Sequence, residues 1–195
     1  MTFSTMMDRP LLISDLFEHG RRLYRDSRII TVGENGDRIA TYAEVGDRTD
    51  QLAKALAKLG VGKEDRVGTF CWNSQEHLEA YFAISSMGAV MHTLNIRLFP
   101  EQLAYVINHA KDKVIIVDES LVPVLGQVAE SMETVEHIIV VGEGDDAALR
   151  SAPNAELHRY EALLAAESPG IDWPVLDEYA PASMAYTSGT TGDPK

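Results

Sequence analysis

Two stretches leave this chain little choice of architecture. Lys113-Val114-Ile115-Ile116-Val117-Asp118 and His137-Ile138-Ile139-Val140-Val141 are short, β-branched and apolar without alternation. A strand with one face in water alternates polar and apolar residues, so an unalternating strand is covered on both faces, as in a parallel sheet between helix layers. From residue 65 onward, strand and helix signals take turns. Strands are expected at residues 66–71, 89–94, 113–118 and 137–141. An Asn73-x-x-Glu76 cap announces a helix carrying Leu78, Tyr81, Phe82 and Ser85. Pro100 suits a first helical position, with Leu103, Val106, Ile107 and Ala110 behind it at helical spacing. A third helix is expected over residues 121–132. Such repeats need right-handed crossovers and give an α/β fold with a doubly wound, mostly parallel sheet. Ligands of open α/β sheets sit beyond the carboxyl ends of the strands.

Residues 1–64 read as a front unit before the βα repeats of residues 65–195. Ser14 is expected to cap a short helix with Leu16, Phe17, Leu23 and Tyr24 on one face. Residues 28–32 and 38–41 are expected to pair as a hairpin around Glu34-Asn35-Gly36-Asp37, because Asn-Gly suits a tight turn. Thr41-Tyr42-Ala43-Glu44 has the form of a capping box. The helix it opens points Val45, Leu52, Leu56 and Leu59 inward and stops at Gly60. Toward the other end, residues 142–154 read as an acidic surface loop and 156–167 as a short helix. Residues 173–181 read as irregular, and 183–187 as a strand feeding the last ten residues.

Composition excludes several function classes. Net charge is −13 over 195 residues, which opposes a nucleic-acid surface built from Lys and Arg. No apolar run approaches the ~20 residues of a membrane span. The first ten residues are polar, with Asp8 and Pro10, and lack a signal-peptide pattern. The single cysteine, Cys71, rules out an internal disulfide and fits a reducing cytoplasm. On its apolar strand it reads as a small core residue. The six histidines (19, 77, 92, 109, 137 and 158) show none of the short spacings of a metal cluster. His77, near Glu76 and Glu79 at a helix start, reads as solvated or capping. His92, with Asn95 and Arg97, sits at a strand end, where it either faces a ligand crevice or anchors a loop. Gly142-x-Gly144 lacks the third glycine and following helix of a dinucleotide fingerprint.

The chemistry concentrates in Tyr186-Thr187-Ser188-Gly189-Thr190-Thr191-Gly192-Asp193-Pro194-Lys195. Glycines let several backbone N–H groups converge on one anion. Hydroxyls add donors or reach a phosphate-bound Mg²⁺, and Lys195 adds a point charge. The G-x-x-x-x-G-K-[ST] spacing is not met, so this is a phosphate loop of another kind or a flexible linker.

That run resembles the phosphate-binding signature of the adenylate-forming enzymes, which include the acyl-CoA synthetases, aryl-CoA ligases, firefly luciferase and the adenylation domains of peptide synthetases. Asp193 falls where the signature varies. The segments His77-Leu78-Glu79-Ala80-Tyr81-Phe82-Ala83, Met87-Gly88-Ala89-Val90 and His92-Thr93-Leu94-Asn95-Ile96-Arg97-Leu98, with Ser4-Thr5-Met6-Met7 at the start, are similar to the amino-terminal part of medium- and long-chain fatty acyl-CoA synthetases. The resemblance spans essentially the whole chain. It implies the amino-terminal portion of an AMP-binding domain whose members are much longer, with the carboxyl-terminal regions outside this sequence.

The implied reaction joins a fatty or other carboxylic acid to ATP, giving an acyl-adenylate, and passes the acyl group to CoA. By the same resemblance, Thr187, Ser188, Gly189, Thr190, Thr191, Gly192 and Lys195 bind the ATP phosphates, with Thr187 nearest Mg²⁺. The adenine, acyl and adenylation groups are expected beyond Lys195, so these 195 residues alone are expected to be inactive. The basic cluster at 21, 22, 25 and 28 flanks Asp26-Ser27. It is either a solvated face or half of a subunit contact, and the resemblance, through dimeric relatives, favours a homodimer contact. Two other readings stay open: a non-catalytic folding or dimerisation unit, and a stand-alone nucleotide-binding module.

Overall fold

The computed structural model describes residues 6, 9–33, 36–187 and 194–195. Helix α1 (Ile13–Leu23) leads into an antiparallel hairpin of β1 (Arg28–Thr31) and β2 (Arg38–Thr41), followed at once by α2 (Tyr42–Lys58). Then come β3 (Arg66–Phe70), α3 (Gln75–Ser86), β4 (Val90–Thr93), α4 (Pro100–Ala110) and β5 (Asp112–Asp118). A short helix α5 (Val122–Leu125) lies between 3-10 turns, and β6 (His137–Val141), β7 (Glu156–Arg159), α6 (Tyr160–Ala165) and β8 (Ser183–Met184) complete the order.

The second sheet has six strands in the order β7-β6-β5-β3-β4-β8, every pairing parallel. Its two faces carry separate apolar clusters, and alternate residues of β5 and β6 serve each. Ile115, Val117, Ile138 and Val140 pack with Leu103, Val106 and Ile107 of α4 and with Leu121, Leu125 and Met132. Val114, Ile116 and Ile139 pack with Leu52 and Leu56 of α2, Ala83 and Ile84 of α3, and Tyr160 and Leu164 of α6. This is the doubly wound α/β architecture that the unalternating runs require.

The hairpin and the box form as expected. Ile29 faces Ala40 and Ile30 faces Ile39 across the antiparallel pair; Asn35 of the expected turn lies outside the described residues. Thr41 Oγ1 accepts from the Glu44 backbone N–H at 3.2 Å, and Glu44 Oε2 accepts from the Thr41 N–H at 2.7 Å. Val45, Leu52 and Leu56 are fully buried and Leu59 partly so. Gly60 ends α2 at φ +80°, where any side chain would be strained.

Other expectations needed correction. Ser14 is no cap: α1 starts after Leu12 without a side-chain cap bond, and Ser14 is buried within the helix. Of the expected apolar face only Phe17 is buried, stacked on Phe82 at 4.4 Å between ring centroids, while Leu16, Leu23 and Tyr24 are exposed. α3 is capped by Ser74 rather than Asn73, its hydroxyl accepting from the His77 N–H at 3.3 Å. Its buried face carries Glu76, His77 and Glu79 beside Ala80, Ala83 and Ile84, and Tyr81 is exposed. Residues 121–132 do not form one helix. Pro123 sits at the start of α5, and Gly126 lies so close to Ala148 that an added Cβ would meet the Ala148 Cβ at 2.6 Å. The stretch from 142 to 154 is not purely a surface loop, since Leu149 and Ala152 are buried.

The expected helix over 156–167 splits. Its first four residues pair with β6 as the edge strand β7, and only 160–165 is helical. Register with β6 outweighs a weak helical pattern, because a short segment's conformation is set by the ladder it can join.

Two arginines neutralise the acids that α3 buries. Arg38 grips Glu76 with two bonds of 2.6 and 2.7 Å. Burial pushes the Glu76 carboxyl up, but the Arg38 pairing outweighs it and holds Glu76 below the usual range. Arg48 Nε donates to Glu79 Oε1 at 2.7 Å while its other nitrogens hold Glu161 at 2.9 and 2.6 Å, tying α2 to α3 and α6. Tyr160 Oη and Gln75 Nε2 also donate to Glu79, at 2.7 and 2.8 Å. Arg48→Met strands the fully buried Glu79 and is expected to cost about 3–5 kcal/mol in urea unfolding. Glu161→Gln, on the exposed arm, is expected to cost less than about 1 kcal/mol in the same assay. Thr41→Ala, which removes the box, is expected to cost about 0.5–2 kcal/mol.

Candidate functional site

β8 fixes where the carboxyl-terminal segment leaves the sheet. Met91 pairs with Ser183 and His92 with Met184, and the Ala182 carbonyl accepts from the Met91 N–H and the Ser85 hydroxyl, both at 3.1 Å. The strand is only two residues long, shorter than the expected 183–187. The chain leaves it because Tyr186 turns onto the face covered by α4. Its ring lies 5.2 Å from that of His92, and its hydroxyl meets His109 Nδ1 at 2.5 Å. His109 stacks on Tyr105 at 5.2 Å. Burial raises the Tyr186 phenol, with Tyr105 and Asp112 adding to the shift.

Immediately after Tyr186, Thr187 joins Lys195 in both directions. The Thr187 N–H donates to the Lys195 carbonyl at 2.8 Å and the Lys195 N–H to the Thr187 carbonyl at 3.3 Å. The Thr187 hydroxyl also donates to the Lys195 carbonyl, at 3.2 Å. Pro194 is buried, while Thr187 and Lys195 are exposed. The two outer members of the expected phosphate loop are thus side by side at the carboxyl side of β8. Ser188, Gly189, Thr190, Thr191, Gly192 and Asp193 lie outside the described residues.

Behind Tyr186 stands a buried polar pair that the sequence did not reveal. His92 Nδ1 contacts both oxygens of Asp112, at 2.9 and 2.8 Å, and both residues are almost fully buried. β3 runs between their strands, and its Gly68 is the residue opposite His92. A Cβ on Gly68 would lie 3.1 Å from Asp112 Oδ2, 3.2 Å from Leu94 Cδ1 and 3.3 Å from Ile115 Cγ1. The absent side chain is therefore the space in which the pair meets. Burial raises the Asp112 carboxyl, and His92 opposes that rise.

His92 is a buried anchor rather than a crevice residue, and it does not gather with Asn95 and Arg97. Those two form their own turn, Asn95 Oδ1 accepting from the Arg97 N–H at 2.9 Å. His77 is buried, not solvated, with Nε2 3.1 Å from Thr69 Oγ1 and Nδ1 3.1 Å from the Trp72 carbonyl; burial lowers its pKa. Cys71 is a partly buried residue beside the core whose Sγ lies 3.4 Å from the Ile116 carbonyl, and burial pushes its thiol up. Gly142 and Gly144 close around the Glu119 carboxylate, which accepts from the Gly144 N–H, so they serve that turn. Arg21 of the basic cluster holds Asp47 and Asp50 of its own chain, at 2.5 and 2.8 Å. Asp112, His109 and Tyr105 had no signal beyond helical or strand spacing. Gly68 in an apolar strand was the one visible hint of a close approach. Gly68→Val is expected to force these neighbours apart and cost about 1–3 kcal/mol in urea unfolding, as overpacked cores do.

Comparison with known proteins converges on one family. The family model described as "AMP-binding enzyme" matches residues 17–195. The chain is 40% identical over 191 residues to 3-methylmercaptopropionyl-CoA ligase of Ruegeria lacuscaerulensis, covering 97% of this chain and 35% of that protein. It is 42% identical over 193 residues to the long-chain-fatty-acid–CoA ligase of Thermus thermophilus, covering 98% and 34%. It is 38% identical over 191 residues to the medium-chain-fatty-acid–CoA ligase of Ectopseudomonas oleovorans, covering 97% and 35%. The chain thus spans about a third of the length of these relatives. In fold it matches a crystal structure of an anthranilate CoA ligase in complex with anthranoyl-AMP, with a TM-score of 0.84 at 22% identity over 96% of this chain and 34% of that one. With the family model spanning nearly its whole length, the chain belongs to the AMP-binding enzyme family.

Proposed function

We propose that these residues supply the phosphate-binding part of an ATP-dependent acid–thiol ligase that activates a fatty or similar carboxylic acid and transfers it to CoA. The observation that carries the reading is the closure of Thr187 on Lys195 at the carboxyl end of a parallel strand. That is where α/β sheets hold ligands, and the Thr187 backbone and hydroxyl meet the Lys195 backbone there. The names of the relatives support the same reaction class.

The donor set suits a polyphosphate in an acidic protein. Net charge −13 repels ATP at a distance, so attraction has to be local. Thr187, Ser188, Gly189, Thr190, Thr191 and Gly192 bring hydroxyl and backbone N–H donors to the phosphates, and Lys195 brings the positive charge. A threonine hydroxyl is a hard oxygen ligand that fits Mg²⁺ shared with phosphate oxygens, and Thr187 is the residue for that role. Bound Mg²⁺ supplies charge neutralisation as the carboxylate attacks the α-phosphorus. Tyr186, wedged between His92 and His109, holds the start of the loop to the sheet. A homodimer built through the amino-terminal end belongs to the same reading. With Arg21 engaged inside the chain, Arg22, Arg25 and Arg28 are the cations for that contact.

On their own, the 195 residues are expected to bind ATP at millimolar strength or worse and to form no acyl-CoA. Strong contacts do not suffice, because about 1.5–3 kcal/mol for each charged hydrogen bond is set against about 1–2 kcal/mol for every loop residue ordered. Titration calorimetry giving micromolar ATP affinity would overturn this. In the protein as its gene encodes it, Thr187→Val is expected to slow fatty-acid-dependent exchange of pyrophosphate into ATP about a hundredfold. An unchanged exchange rate removes Thr187 from the site.

A further inference from the structure

The parallel ladder of β6 and β7 assembles a second group of side chains, far from the phosphate loop. His137 and Glu156 are register partners on adjacent strands, and His158 lies two residues beyond Glu156 on the same face. His137 Nδ1 and His158 Nε2 are 3.1 Å apart, and Glu156 Oε2 is 3.8 Å from each. The three ligand atoms therefore form a closed triangle. Three ligands about 2.0–2.1 Å from a tetrahedral zinc ion stand about 3.3 Å from one another. Each observed edge is within about half an ångström of that value.

We propose that His137, Glu156 and His158 form a binding site for a divalent transition metal of the zinc type. Two imidazoles and one carboxylate are the borderline donors such ions take, with a fourth position left for water. Both imidazole side chains are 16% exposed, which preorganises them, whereas the Glu156 side chain is 72% exposed and gives the ion its entry.

The location indicates what the metal does. His137 and Glu156 are the first residues of β6 and β7, so the site is at the amino end of the parallel sheet. β7 and β8 are its opposite edges, about 24 Å apart at five strand spacings. The ion is therefore remote from the loop after β8 and acts as a staple. It pins a four-residue edge strand whose next residues, Tyr160 and Glu161, hold Glu79 and Arg48.

The test uses untagged, chelator-stripped protein. Calorimetric titration with Zn²⁺ is expected to give about one site per chain at micromolar strength, with a raised unfolding temperature. Co²⁺ is expected to give the intense visible absorption of a tetrahedral ion. Glu156→Gln, at an exposed position that leaves the fold intact, and His158→Gln are each expected to weaken zinc at least tenfold and abolish the cobalt band. Circular dichroism of the metal-free variants checks folding. Zinc affinity unchanged in both variants, or no binding up to about 1 mM Zn²⁺, overturns the proposal and leaves His137 and His158 as a plain hydrogen-bonded pair.

Discussion

A parallel strand has no face to give to water, and most of this structure answers that constraint. β5 and β6 are apolar along both sides, so helices cover both. α4 and the broken segment around α5 take one face; α2, α3 and α6 take the other. The front end is drawn into the same demand, since α2 contributes Leu52 and Leu56 to the second cluster. Each crossover returns the chain to the amino end of the next strand. Every strand of the six-stranded sheet therefore points its carboxyl end the same way, and the edge where β8 releases the carboxyl-terminal segment follows from that common direction.

Covering both faces also buries ionisable groups, and those on α3 each have a local answer. α3 carries three ionisable residues on its inward side. Arg38 from the hairpin and Arg48 from α2 neutralise two of them, and His77 sits between a threonine hydroxyl and a backbone carbonyl. Burying a carboxylate is costly unless a partner shares its charge, so these contacts tie the front elements to α3. On the other face the His92–Asp112 pair passes through the gap at Gly68 and supports Tyr186. The polar interior thus links the sheet to the segment where the phosphate chemistry is proposed.

Periodicity carried the sequence reading where one segment's own residues decided the outcome. The runs at 113–118 and 137–141, the capping box at Thr41 and the helix behind Pro100 were legible, because propensity, capping and burial agreed within each. The reading slipped where a distant partner had the last word. Residues 156–159 became a strand because β6 offered a ladder, residues 121–132 broke where Gly126 meets Ala148, and Ser14 was buried rather than capping. The proposed loop was legible as a cluster of glycines and hydroxyls, whereas Asp112, His109 and Tyr105 behind it were not. Their relation to Tyr186 spans up to 81 residues of chain and leaves no mark in spacing.

Linear order alone determined the α/β class, the covered parallel strands, the amphipathic helices and the phosphate-type composition of residues 186–195. These depend on neighbours a few positions apart, through the 2.0 and 3.6 periods. Tertiary structure alone decided which acids meet which arginines, that Thr187 closes on Lys195, and that three residues 21 or fewer positions apart form one triangle on the β6–β7 edge. Those pairings are set by strand order and register, which no local pattern encodes.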